Sequence, residues 1–141
     1  MRGAAAGVVA AAAWAAAEPA LRRLVSTPYS DVRLLGRMVT RTRAWPAAGL
    51  VLHLANGAVF GAVFERVGLR GVKAGVAAAQ AENLVLWPGF AVVDRIHPDR
   101  RAGDWPPLLR SSRIAVYEVM VHALFGAVLG GLVTSPRRPP A

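Results

Sequence analysis

The side chains in this chain that can do chemistry are few, and most sit inside apolar stretches. Glu18, His53, Asn56, Gln80, Glu82, Asn83, Glu118 and His122 are embedded among Ala, Val, Leu, Gly and Phe. An ionisable group in such surroundings is costly unless it is partnered, so each is a functional candidate. Glu82 lies about a dozen residues from either end of its apolar segment, near the midplane of any membrane it crosses, where its carboxyl must be protonated or hydrogen-bonded. Asn56 follows His53 by one turn and Glu118 precedes His122 by one turn, so each pair shares a helix face. A central cluster of His53, Glu82, Asn83 and His122 is expected if these faces turn inward. Glu18 and Glu118 lie within two turns of a loop and are expected to reach water or a nearby Arg.

Three chemistries compete for that cluster. The first is structural, with buried hydrogen bonds between helices worth roughly 0.6–2 kcal/mol each. The second is a proton relay or small-cation site, for which a mid-depth Glu and two His are suited. The third is a b-type haem held by His53 and His122 as axial ligands, or a divalent ion held with Glu118. No second histidine on either helix supports the third, so no cofactor or metal is expected. The chain has no Cys, which excludes disulfides, thiolate metal sites and cysteine nucleophiles. There is no nucleophile elbow, phosphate-cradling Gly-rich loop or helical His-Glu zinc motif, so no enzyme activity is expected. His97 precedes Pro98 in a polar loop and is expected to be solvated.

The elements that must position these residues are membrane helices. The 141 residues are 55% apolar and 18% charged, with positive mean hydropathy. A formal charge of +9 and a pI near 11.7 would by themselves suggest nucleic acid. The basic residues instead fall between long uncharged stretches, and no nucleic-acid partner is expected. A helical crossing needs about 20 mostly apolar residues, and four windows qualify: Gly3 to about Leu24, Ala44 to Phe64, Ala74 to Val93, and Ile114 to Pro136. The first, preceded by Arg2 and containing Ala15-Ala16-Ala17, also has features of a signal peptide. Against that, it is paired with a mid-chain segment by an internal repeat.

That repeat is found by sliding the chain against itself by 68 to 69 positions. His53-x-x-x-Gly57-Ala58-Val59-Phe60-Gly61 recurs as His122-x-x-x-Gly126-Ala127-Val128-Leu129-Gly130. Gly3-x-x-Ala6-Gly7-Val8 recurs as Gly71-x-x-Ala74-Gly75-Val76. Residues 1–68 and 69–136 then form two parallel two-helix units of a single membrane domain, followed by a short tail at 137–141. The expected fold is an all-α four-helix bundle whose second and fourth segments face each other or lie diagonally. Each segment carries a helix-packing glycine pair: Gly3 and Gly7, Gly57 and Gly61, Gly71 and Gly75, Gly126 and Gly130. Small residues at this spacing let backbones approach closely in lipid. Packing within the chain is the stronger reading of these pairs, and a homo-oligomer interface the weaker.

Between the first two segments, Ser30 or Asp31 can cap a short helix from Val32 to about Thr42. Its apolar residues lie on one face, and Arg33, Arg37 and Arg41 repeat on another. This is the pattern of a helix in the plane of anionic lipid headgroups, or of a solvated loop helix. Asp94 to Arg113 is broken by Pro98, Gly103, Pro106 and Pro107 and reads as a structured turn or interfacial loop, in which Arg residues beside Asp94, Asp99 and Asp104 are placed to meet lipid phosphates. Eleven Lys and Arg flank the side with the two long loops: Arg22, Arg23, Arg33, Arg37, Arg41, Arg43, Arg95, Arg100, Arg101, Arg110 and Arg113. Six flank the other: Arg2, Arg66, Arg70, Lys73, Arg137 and Arg138. The excess favours cytoplasmic long loops, and the Arg- and Ala-rich composition suggests a bacterial inner membrane.

Trp87-Pro88 closing the third segment, Asp94-Arg95-x-His97-Pro98 and Trp105-Pro106-Pro107-Leu108 in the loop, and His122-x-x-x-Gly126 in the last segment form a recognisable layout. It resembles small uncharacterised four-helix integral membrane proteins of actinobacteria. The resemblance implies the fold and a membrane location but no activity. The expected function is a structural or interaction module in the membrane, with a small proton or cation transporter as the alternative.

Overall fold

The computed structural model describes residues 1–134. The end of the last segment at Pro136, the tail at 137–141 and the bases Arg137 and Arg138 lie outside the described residues. The described chain is all-helical: α1 (Gly3–Leu24), α2 (Asp31–Val39), α3 (Trp45–Arg66), α4 (Val72–Leu86), a single 3-10 turn (Trp87–Gly89), α5 (Phe90–Ile96), α6 (Pro98–Ala102) and α7 (Ser112–Leu132). Four stretches are long and apolar enough to cross a membrane: Gly3–Leu24, Trp45–Arg66, Val72–Ile96 and Ser112–Leu132.

Local chemistry sets the boundaries. Ser30, not Asp31, caps α2, its Oγ accepting from the Arg33 N–H at 3.1 Å. Ser111 caps α7 in the same way, accepting from Ile114 N–H at 3.3 Å. Pro46 sits in the first turn of α3, where its missing N–H costs nothing. At Trp87-Pro88 the third segment tightens into a 3-10 turn and continues as α5, so it runs three residues past Val93. Proline disrupts i to i−4 bonding in an α-helix, and the tighter turn carries the chain past it. α2 ends at Val39, because Thr40 is extended (φ −147°, ψ 142°). Arg41 therefore lies beyond the helix and does not continue its arginine ridge.

The helices pack as a curved row whose two ends line one cavity. α1 lies against α3 and α7, and α7 lies against α4, while α2 lies on α3. α1 and α7 are thus the central pair, with α3 and α4 at the two ends in at most marginal contact with each other. α3 and α7 are diagonal, one of the two expected arrangements, and touch through Phe60 and Phe125, whose ring centres are 5.3 Å apart.

Two glycine interfaces hold the half of the row nearest the termini. A methyl group at Gly7 would fall on the Gly57 carbonyl oxygen, and one at Gly61 on that of Gly3. A methyl at Gly75 would fall on the Gly126 carbonyl, and one at Gly130 on that of Gly71. All eight predicted glycines are therefore at the two contacts, but Gly71 contributes differently. It precedes α4 at φ 82° and ψ 161°, a conformation open almost only to glycine, and offers its carbonyl to the contact. A third close approach was not expected. Gly36 of α2 meets Gly49 of α3, where added methyls would strike the Trp45 and Val32 carbonyls.

Candidate functional site

The half of the row nearest the long loops carries most of the polar side chains. α2 and the α5–α7 connection fold back over the end of the bundle there. The anchor of this cap is Asp99, which is fully buried. Its carboxylate lies 2.7 Å from Arg33 Nε and 3.2 Å from Arg37 Nε, and Arg33 also reaches Asp104 at 2.9 Å. The arginines expected to face lipid headgroups thus hold α2 to the second long loop. His97, expected in solvent, is fully buried. Its ring stacks on Trp105 at 4.5 Å and 7°, its Nδ1 accepts from the Asp99 N–H, and its Nε2 lies 3.3 Å from the Leu34 carbonyl. Burial, with Arg37 and Arg33 nearby, holds the His97 imidazole below its ordinary range. Asp94 secures the loop from the other side, accepting from Arg100 Nε at 2.7 Å and Leu108 N–H at 2.8 Å.

Beneath this cap lies a cavity of about 300 Å³. Its walls include all six residues of the predicted polar cluster: His53 and Asn56 from α3, Glu82 and Asn83 from α4, and Glu118 and His122 from α7. The one-turn pairing of Glu118 and His122 holds, with His122 Nδ1 3.3 Å from the Glu118 carboxylate and 2.7 Å from its carbonyl. The two imidazoles do not meet each other or Glu82. Trp14 stands between them, its ring edge-on to His53 at 5.0 Å and to His122 at 4.7 Å. The indole fills the space that a porphyrin bridging the two histidines would need. Among the described residues no three His, Asp or Glu side chains gather in a geometry that could hold a metal ion. Glu82 is half-buried at the cavity's open side, with the exposed Asn56 facing its carboxyl.

The chemically dense part of the site lies deeper toward the long loops. Glu18 and Glu118, expected to reach water, are 6% and 2% exposed, because α2 covers the helix ends that carry them. Tyr117 OH donates within reach of two carboxylates, Asp31 Oδ2 at 3.0 Å and Glu18 Oε2 at 3.2 Å. Tyr29 OH donates to Asp31 Oδ1 at 2.8 Å, and the Asp31 N–H donates to Glu18 Oε2 at 3.2 Å. Glu118 faces Asp31 across the top of the cavity. Three carboxyls and two phenols thus form one group. The nearest guanidinium is that of the half-buried Arg22, 3.9 Å from Glu18. Burial first, and the neighbouring Glu18 charge second, push the Asp31 carboxyl up to about 6. Burial and Asp31 likewise raise Tyr29.

No protein-family model, curated protein or solved structure matches the chain. The site therefore rests on its own geometry. Sequence reasoning missed Trp14, Tyr29, Asp31 and Tyr117. A partial signal was present, since Trp14 and Glu18 are one turn apart on the face of α1 that carries Gly7, Ala10 and Ala11.

Proposed function

We propose that this is a multi-pass protein of the bacterial plasma membrane that takes up and releases protons at the buried cluster, as a small proton-coupled carrier and not an open channel. The observation that carries this is the Glu18–Tyr117–Asp31–Tyr29 chain with Glu118 beside it. Two unit charges about 4 Å apart repel by roughly 4 kcal/mol at an effective dielectric near 20. Three carboxylates so placed, with one guanidinium at their margin, favour holding at least one proton. A carrier suits the surroundings better than a channel. The polar cluster is capped by α2 on one side, and the glycine interfaces fill the other half of the row.

The same features support the finer architecture. The Gly3/Gly7 to Gly57/Gly61 contact and the Gly71/Gly75 to Gly126/Gly130 contact occupy corresponding places in residues 1–68 and 69–136, as a duplicated two-helix unit would place them. The eleven bases beside the long loops support a cytoplasmic orientation for the capped end, where the exposed Arg41 remains available to anionic headgroups. The protein in phosphatidylcholine vesicles tests the proton reading by infrared spectroscopy. A protonated-carboxyl stretch is expected at pH 5, losing intensity between pH 5 and 7 and weakened in Asp31→Asn, with Glu65→Gln as control. Carboxyls fully ionised at pH 5 would leave the second reading, a passive structural module, which the tight glycine interfaces favour.

A further inference from the structure

The cavity beneath the cap lies between α3 and α4, which barely touch and are both among the candidate membrane spans. Asn56 of α3 faces Glu82 of α4 across the gap. Its lining is largely apolar and aromatic, with Trp14, Phe60, Phe90 and Phe125 presenting rings to the same space. Three polar atoms of its lining residues have no hydrogen-bond partner among the described residues: Glu118 Oε1, His53 Nε2 and Trp14 Nε1, on residues 98%, 94% and 93% buried. A native interior rarely leaves such atoms unsatisfied, and an unpaired carboxylate oxygen in an aromatic pocket is an acceptor waiting for a donor or a cation.

The charge around the pocket is one-sided. Asp31, Glu82 and Glu118 line it, Glu18 adjoins it, and no Lys or Arg lines it. Aromatic faces attract cations through their quadrupole, most strongly where water is excluded. A metal ion is a poor fit, since the carboxylates do not converge on a point. An anion or an acidic lipid headgroup would meet three carboxyls, with no Lys or Arg in the lining to pair it. The volume, about 300 Å³, lies at the small end of ligand pockets.

We propose that this cavity binds a small hydrophobic monocation, an aromatic or alkyl ammonium, which reaches it from the bilayer between α3 and α4 and sits with its charge against Glu118. This rests on the proton-exchange reading, because the cation and the proton would compete for the same carboxyls. The groups facing Glu118 are Glu18 from α1, Tyr29 and Asp31 from the cap, His53 from α3, and Tyr117 and His122 on its own helix. The only nearby guanidinium, on Arg22, contacts Glu18. Ligand release therefore follows protonation of the carboxyls, with no covalent step.

The test uses the full chain in phosphatidylcholine nanodiscs and isothermal titration with benzyltrimethylammonium, with benzenesulfonate as an anion of similar size. One saturable cation site per chain is expected at pH 7.5, with no binding of the anion. Binding should weaken by about tenfold or more at pH 5 and in Glu118→Gln, since each tenfold corresponds to the loss of about 1.4 kcal/mol of charge pairing. Should Glu118→Gln fail to fold, Leu86→Trp fills the exposed mouth without touching the carboxyls and must also abolish binding. Equal binding of cation and anion, or full affinity in Leu86→Trp, overturns the proposal. A titrating carboxyl band without cation binding overturns the ligand and leaves the proton reading. Cation binding with carboxyls ionised throughout overturns proton exchange and leaves the ligand.

Discussion

Asp31 offers the sharpest test of the buried cluster. Its carboxyl is raised from an ordinary 3.8 to about 6 by burial and by Glu18. Between those values the folded protein keeps a proton that the unfolded chain has released. Stability therefore falls as pH rises through this window and is level above it. At about 1.4 kcal/mol per pH unit, a gap of roughly two units sets an upper limit near 3 kcal/mol, reduced by whatever water reaches the half-buried side chain. For a domain of this size that is a decrease of up to about 10 °C in melting temperature. Asn at this position cannot titrate, and it keeps one acceptor for the two tyrosine hydroxyls where aspartate has two. Asp31→Asn is therefore expected to start lower at pH 4 by about 1 kcal/mol for the lost hydrogen bond, then to draw level with or exceed the wild type by pH 7. The assay is thermal unfolding in mild detergent, followed by helical circular dichroism at pH 4 to 7.5. The difference between the two curves is the quantity to read, because it cancels groups common to both. A constant difference across the range, or a wild type that gains on the variant as pH rises, would refute the argument.

Other outcomes follow from the cap and the glycine contacts. Lowering pH through 6.5 should have the opposite effect at His97, whose neutral form is held by burial: its contribution is complete above the ordinary value and is lost as pH falls. In the Asp31→Asn background this appears as a melting temperature that drops toward pH 5, and replacing His97 with Gln removes the drop. Asp99→Asn should destabilise by about 2–3 kcal/mol, below the usual range for a broken buried pair because both arginines keep some solvent. Protease cleavage between residues 25 and 44 then accelerates, as α2 loses its hold. Gly7→Ala and Gly75→Ala should each cost about 1–3 kcal/mol by overpacking, whereas Gly89→Ala, which meets nothing within 4 Å, should be neutral in the same melts.

The membrane segments were legible because lipid imposes a length and a composition on a crossing helix, and nothing else in a short chain satisfies both. The glycine partners were legible in kind, since small residues four apart have few other uses in lipid, and the Glu118–His122 contact followed from one helical turn. The buried carboxyls were not legible. Whether Glu18 and Glu118 reach water depends on α2 lying over them. That in turn depends on Arg33 and Arg37 meeting Asp99, more than 60 positions away in the chain. Locally, an arginine every fourth residue is the pattern of a helix facing phosphates. An internal aspartate in a proline-broken loop has no local mark to distinguish it from a solvated one. His97 was misread for the same reason, because its burial is created by the loop that follows it and not by its neighbours.

The repeat sharpens the argument that the cavity has a use beyond packing. If residues 1–68 and 69–136 descend from one unit, the offset of 68 to 69 pairs His53 with His122 and each glycine of the α1–α3 contact with one of the α4–α7 contact. The same offset pairs Trp14 with Glu82, Asn56 with Phe125, and Gly49 with Glu118. Positions at these two contacts are thus the same in both halves. Several positions lining the cavity differ, setting Glu82 against Trp14, Asn56 against Phe125 and Glu118 against Gly49, whereas His53 and His122 are alike. Packing alone gives no reason for this division, because two identical halves would already pack against each other through their glycines. It does have a reason in a pocket that needs carboxyls on the α4 and α7 walls and an aromatic ring between the histidines. A second carboxyl at position 49 would strike the Val32 carbonyl where Gly49 meets Gly36, so the contact that holds α2 to α3 leaves room for this carboxyl on α7 alone.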